Sequence, residues 1–293
     1  MEFQNVIYGT KIEKKFKGFC LDIEELRIPK GFATALIGEN GAGKTTLLNI
    51  LSGIRLNYHG KIQYFDEQVE NVEKVKDRLG YTSPGSFFLP QWTIPQIGKI
   101  SSLLFDNFDR DKYQELCRDL AISTKGIKKT VNSLSDGNRM KLTLATVFAR
   151  DTECLLMDEP ASPLDPLMRD KLCGMIREYI EEGNGANSAL FSTHNITDME
   201  NVTDYAIIME HGKIAEQGFV EDLKEKYILV KGNTEDVAAA KQHMYSFSES
   251  SYGFEGICLA KDLDKLAGLD ISREVPSLFQ ISVAVMKMSS VLR

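Results

Sequence analysis

The segment Gly38-Glu39-Asn40-Gly41-Ala42-Gly43-Lys44-Thr45 constrains this chain more than any other stretch. It follows the apolar run Phe32–Ile37 and precedes Thr45–Ile54, which reads as a helix. A short, continuous apolar run ended by glycine suits a strand buried on both faces, as in a parallel sheet. Strand, glycine-rich loop and helix together open a βαβ unit. Glycines let the backbone wrap closely around phosphate oxygens and aim N–H groups inward. The following helix turns its positive dipole end toward the same oxygens. The spacing fits a phosphate cradle in which Lys44 reaches the β- and γ-phosphates and Thr45 offers a hydroxyl to Mg²⁺. A glycine-rich turn capping a helix is the plain alternative; the strand before and the helix after argue against it.

Two further apolar runs end in polar residues. Cys154–Met157 is followed by Asp158 and Glu159, and Ser188–Phe191 by Ser192, Thr193 and His194. Ligands of open α/β sheets bind at the carboxyl ends of strands, so these ends and the loop point to one shared site. Asp158 suits Mg²⁺, and Glu159 can act as a general base toward an attacking water. An acid pair at a strand end is otherwise a common helix cap. Residues 85–150 read as mostly helical, with amphipathic stretches around Lys112–Leu120 and Met140–Arg150; Tyr205–Gly218 reads as a hairpin turning at His211-Gly212.

The net charge of −7 argues against nucleic acid as a partner, because phosphate neutralisation needs clustered Lys and Arg. Lys14, Lys15 and Lys17 read as a solvated face. The five cysteines have no metal-site spacing and suggest a reducing compartment. No stretch of about 18 apolar residues is present, so no transmembrane helix is expected, and a membrane role must come through another chain.

Taken in order, the motifs resemble those of ABC-transporter ATPases. Leu134-Ser135-Asp136-Gly137-Asn138 resembles their LSGGQ signature, Ser162-Pro163-Leu164-Asp165 their D-loop and Thr193-His194 their switch histidine. The resemblance covers roughly residues 1–220. It implies an α/β fold: a P-loop NTPase core with a mainly parallel sheet, an antiparallel N-terminal β subdomain and a helical subdomain. We expect a nucleotide-binding domain over 1–227, with the helical subdomain at about 85–150, and a small C-terminal extension over 228–293. It further implies ATP and Mg²⁺ as ligands, ATP hydrolysis, and a homodimer or a heterodimer with another such ATPase. A separate transmembrane permease would be the partner, and the chain would sit in the cytoplasm on the inner face of the cell membrane.

Residue by residue, the resemblance places nucleotide on Gly38 through Thr45 and on Thr46. Glu159, His194 and Lys44 carry the catalysis, and Thr45 and Asp158 the metal. Ser135, Asp136, Gly137 and Asn138 would meet the ATP held by the partner subunit. An aromatic residue stacks on adenine in the family; Phe16 matches it, with Tyr8 and Phe19 as rivals. The family's metal-touching Gln, expected after Leu79-Gly80-Tyr81, is replaced by Thr82-Ser83-Pro84, leaving Ser83 as a substitute ligand and Gln91 as a more distant candidate. Asp136 stands where a second glycine is usual. Val275-Pro276-Ser277-Leu278-Phe279 resembles a Pro-Ser-Leu element of exporter-type subunits and equally reads as a helix start; the resemblance tilts the expected direction of transport toward export. A soluble ATPase of the same family and a regulatory ATP sensor are the alternative functions.

Overall fold

The computed structural model describes residues 3–65, 72–84, 87–122 and 130–291. The ends of the two expected domains, residues 1–2 and 292–293, lie outside these, as do residues 85–86 and 123–129 of the expected helical subdomain.

Three sheets form. An antiparallel N-terminal sheet has the order β2-β1-β4, from β1 (Asn5–Phe16), β2 (Phe19–Pro29) and β4 (His59–Tyr64). The central sheet has six strands in the order β5-β6-β7-β3-β8-β9. Its members are β3 (Ala33–Ile37), β5 (Leu79–Thr82), β6 (Cys154–Met157), β7 (Ser188–Thr193), β8 (Tyr205–Glu210) and β9 (Lys213–Phe219). Every neighbouring pair is parallel except β8 and β9, which form the hairpin read from the sequence. His211 and Gly212 both take positive φ, 47° and 82°, as a tight two-residue turn requires.

Strands β3, β6 and β7 are buried at every position. Their side chains divide between two cores because successive residues point to opposite faces. Leu36, Leu156, Leu190 and Ile207 meet α1 (Lys44–Leu51) and the N-terminal sheet. Ala35, Ile37, Met157, Phe191 and Ile208 meet the opposite cluster. That cluster holds α4 (Asp136–Phe148) and α5 (Pro166–Glu182), with contributions from α2 (Ile94–Leu104) and α3 (Arg110–Asp119). Helix α1 ends at Leu51 rather than Ile54, because Gly53 turns left-handed at φ 72° and its amide caps Ile50.

After α6 (Val220–Lys226) the chain forms a third, antiparallel sheet in the order β11-β12-β10-β13. It consists of β10 (Tyr227–Gly232), β11 (Ser246–Ser250), β12 (Gly253–Leu259) and β13 (Ile271–Glu274), with the short helix α7 (Val237–Lys241) between β10 and β11. Val230, Ala240, Phe254, Cys258 and Leu266 give it a small core of its own. Helix α8 (Leu278–Val291) then returns to the α5 side of the central sheet, where Leu278, Ile281, Ala284 and Val285 are buried in the main core. Ser277 and Gln280 bond each other reciprocally at its start, and the Leu278 amide donates to Glu200 Oε1 at 2.8 Å. Pro276-Ser277-Leu278 therefore starts a capped helix and anchors it.

A Cβ on Gly38 would stand 2.5 Å from the Met209 carbonyl oxygen at the end of β8, whereas one on Gly174 in α5 meets nothing within 4 Å. Gly38→Ala is expected to destabilise the fold by about 1–3 kcal/mol through this overpacking. Gly174→Ala is expected to stabilise it by up to about 1 kcal/mol through helix propensity. Urea midpoints of the two variants should move in opposite directions.

Candidate functional site

Neighbouring parallel strands bring their carboxyl ends to one edge. Ile37 lies opposite Thr193, and Met157 opposite Phe191. The loop after β3, the acid pair after β6 and the polar end of β7 consequently meet. β7 runs two residues beyond its apolar stretch because Ser192 and Thr193, though polar, are buried with partners.

Asp158 is the hub. It is 2% exposed. Its Oδ2 accepts from Thr45 Oγ1 at 2.7 Å and its Oδ1 from Ser192 Oγ at 2.6 Å. Ser192 Oγ in turn accepts the Glu159 amide at 2.9 Å. That bond holds Glu159 at φ 46°, a left-handed conformation that costs about 1–2 kcal/mol for a residue with a Cβ. The turn aims the Glu159 carboxylate back over the loop. Oε2 meets His194 Nδ1 at 2.8 Å and Oε1 lies 3.4 Å from Lys44 Nζ. Lys44 itself is 6% exposed and donates to the carbonyls of Gly38 at 2.6 Å and Glu39 at 3.2 Å. Thr45, Asp158, Ser192, Glu159, His194 and Lys44 form one connected network.

The residues fit a phosphate-bearing ligand and a hard cation. Gly43, at φ 107°, is the N-cap of α1 and supplies no side-chain cap, while Asp109, Ser135 and Asp165 cap α3, α4 and α5. The first amides of α1 are thus left to a ligand. Gly41, at φ 87°, has open space where a Cβ would sit. The Ala42 carbonyl accepts from Gly212, which ties the loop to the β8–β9 turn. One carboxylate beside one hydroxyl is a donor set of hard oxygens that suits Mg²⁺ shared with phosphates. Among the described residues no group of three His, Cys, Asp or Glu side chains could hold a metal by itself.

A groove of about 470 Å³ opens beside the network, lined by Asn40, Ser83, Pro84, Asp136, Glu159 and His194 among others. Ser83 thus reaches the groove where the family's Gln was expected, whereas Gln91 is exposed in a turn and does not line it. Burial first, and the Asp158 carboxylate second, push the Tyr81 phenol above its ordinary value; its hydroxyl donates to Asn49 at 2.9 Å. In the signature, Ser135 Oγ accepts the Asn138 amide at 3.3 Å and begins α4. Asp136 pairs with Arg139 at 2.9 Å. A Cβ on Gly137 would stand 2.9 Å from the Pro163 carbonyl oxygen, so the signature and the Ser162–Asp165 segment pack backbone to backbone. Thr46, in the first turn of α1, is half-buried beside buried Lys44. Phe16 is 38% exposed at the end of β1, its ring centroid 6.1 Å from that of Phe19, which packs against Gly43. Tyr8 is committed to Glu25 at 3.0 Å.

The sequence reading treated Ser192 only as part of a polar strand end and gave Arg139 no role. A serine after an apolar run carries little signal on its own; only the register of β6 against β7 brings it to Asp158.

Comparison with known proteins agrees with this geometry. Residues 21–162 match the family model described as ABC transporter. Over 229 residues the chain is 28% identical to human ATP-binding cassette sub-family A member 9, aligning 74% of this chain with 14% of that protein. It spans only 14–15% of the length of this and two other human sub-family A members. It is 29% identical over 223 residues to a probable sulfate/thiosulfate import ATP-binding protein of Chlorella vulgaris, covering 73% of this chain and 91% of that one. Among solved structures, an ATP-binding subunit of an ABC transporter superposes with a TM-score of 0.65 at 19% identity, over 75% of this chain and 92% of the other. A dimeric ATP-binding cassette bound to ADP and Pi superposes at 0.63 and 18% identity, over 73% and 98%. At these identities the superpositions establish the fold.

Two substitutions probe the network. Lys44→Ala removes a charged hydrogen-bond donor and is expected to weaken ATP binding about 10- to 100-fold in a calorimetric titration. Ser192→Ala leaves the Glu159 amide and one Asp158 oxygen without their partner. It is expected to destabilise the fold by about 1–3 kcal/mol in denaturant unfolding.

Proposed function

This chain carries an ABC-transporter nucleotide-binding domain, and we propose that it is the ATP-hydrolysing subunit that drives a separate transmembrane permease. The observation that supports this most is the network in which Asp158, bonded to Thr45 and Ser192, holds Glu159 between Lys44 and His194.

Each residue has a task in that reading. The loop amides and Lys44 bind the β- and γ-phosphates. Thr45 and Asp158 would hold a Mg²⁺ ion, which supplies neutralisation of the charge developing on the phosphates. Glu159 accepts a proton from the attacking water, and His194, in contact with it, orients that carboxylate and meets the γ-phosphate. Asn40 and Ser83 line the same groove, and Ser83 would stand in for the family's Gln beside the ion. Ser135, Asp136, Gly137 and Asn138 serve the nucleotide of a second subunit, giving a dimer around two MgATP. An intact Glu159–His194 contact favours hydrolysis over a regulatory sensor.

Among the described residues no helix is long and apolar enough to cross a membrane, and in this reading the transport path belongs to the permease. A largely apolar cavity of about 350 Å³, lined by Tyr81, Phe87, Phe88, Trp92, Leu104 and Phe105 among others, supports docking of that chain beside Ser83–Trp92. Gly85 and Ser86 of this loop lie outside the described residues. The subunit would then sit on the inner face of the cell membrane. Export rests on the resemblance of Pro276-Ser277-Leu278 alone, and those residues already have a structural task at the start of α8.

Glu159→Gln is the direct test. It removes the general base and keeps the phosphate cradle, so the variant is expected to bind MgATP, lose at least about 100-fold in turnover and accumulate as an ATP-bound dimer on size exclusion. Wild-type turnover in this variant would sink the assignment.

A further inference from the structure

Phe16 does not stand alone at the mouth of the loop. The guanidinium carbon of Arg55 lies over its ring, 5.1 Å from the centroid, and Lys14 Nζ approaches to 5.7 Å. Arg55 follows the left-handed Gly53 that ends α1, and its amide donates to Asn49 at 2.8 Å, so its backbone is fixed to the same helix that begins at the phosphate loop. Phe19 lies between Phe16 and the loop, its ring tilted 39° to that of Phe16, and its ring carbon would stand 3.0 Å from a Cβ on Gly43. Gly43, Phe19, Phe16 and Arg55 thus make a chain of contacts leading outward from the phosphate loop.

Two features of Arg55 are not explained by folding. Among the described residues it makes no ion pair, although the chain is acidic overall. Its Nε is buried and has no hydrogen-bond partner. A buried guanidinium donor left unbonded costs free energy that no contact within the described fold offsets. A cation over an aromatic ring also restrains the ring and polarises its π system.

We propose that Arg55 is a nucleoside-positioning residue: it holds the Phe16 ring for base stacking and offers its free donors to acceptors of the nucleoside. This rests on the reading of Phe16 as the residue that stacks on adenine. The recognition is confined to the base and ribose, since the phosphates are held by the loop and Lys44. Arg55 therefore separates ligands that carry a nucleoside from those that carry phosphate alone.

The test compares ATP with inorganic tripolyphosphate, each with Mg²⁺, displacing a fluorescent ATP analogue from the full chain. Arg55→Ala is expected to weaken ATP about fivefold and leave tripolyphosphate within about twofold. Arg55→Lys keeps a cation without the planar fork and should recover only part of the loss. Phe16→Ala should weaken ATP and spare tripolyphosphate. Unchanged or tighter ATP binding in Arg55→Ala, with ATP weakened in Phe16→Ala, would overturn the role of Arg55 and leave the stacking reading intact. Equal weakening of both ligands by Arg55→Ala would also overturn it, as an effect on the fold or the phosphates. If Phe16→Ala has no effect on ATP, the stacking reading and the proposal fall together.

Discussion

One buried carboxylate organises this molecule. Asp158 receives hydroxyls from the loop after β3 and from the end of β7, and its neighbour Glu159 is turned by the same serine. Taking a carboxylate out of water is costly unless its oxygens are bonded, and two short hydroxyl donors meet that cost in part. The remaining acceptor capacity of this carboxylate is what a divalent cation beside Thr45 would use. The loop and the strand ends are therefore coupled at one atom group: whatever fixes Thr45 and Ser192 also fixes Glu159.

The central sheet makes this possible. Alternate residues of β3, β6, β7 and β8 pack into two different cores, so the strands are clamped from both faces and their ends cannot drift. The cost is a loop that must turn within van der Waals contact of β8, which is why position 38 has no room for a side chain. Strain at Glu159 is tolerated because the surrounding bonds over-determine it. The C-terminal sheet adds a further brace: α8 lies on the same face as α5, and its first amide is held by Glu200, shortly after His194.

Much of the central sheet was legible because strands buried on both faces leave continuous apolar runs. Cys154–Met157 is an example, its ends as read. The loop was legible because glycines at fixed spacing before Lys44 have few other uses. Ser192 was not, since its importance comes from the cross-strand register and not from its own neighbours in sequence. Helix α1 stopped early for a local reason, the left-handed turn at Gly53, that the apolar pattern through Ile54 conceals. The C-terminal sheet was hardest. A strand such as β11 is half-exposed and polar, and the apolar residues of α8 do not reveal which surface they cover. The contact of Arg55 with Phe16 joins the loop after α1 to the end of β1 and has no sequence pattern at all.

The role of Asp158 is tested most directly by titrating a fluorescent ATP analogue into the wild-type chain and into Asp158→Asn, with and without Mg²⁺. A carboxylate that holds the ion predicts tighter binding with Mg²⁺ in the wild type and little or no gain from Mg²⁺ in the variant. An equal gain in both proteins, with the variant folded, would contradict the placement of the metal and with it the organisation of the site around this residue.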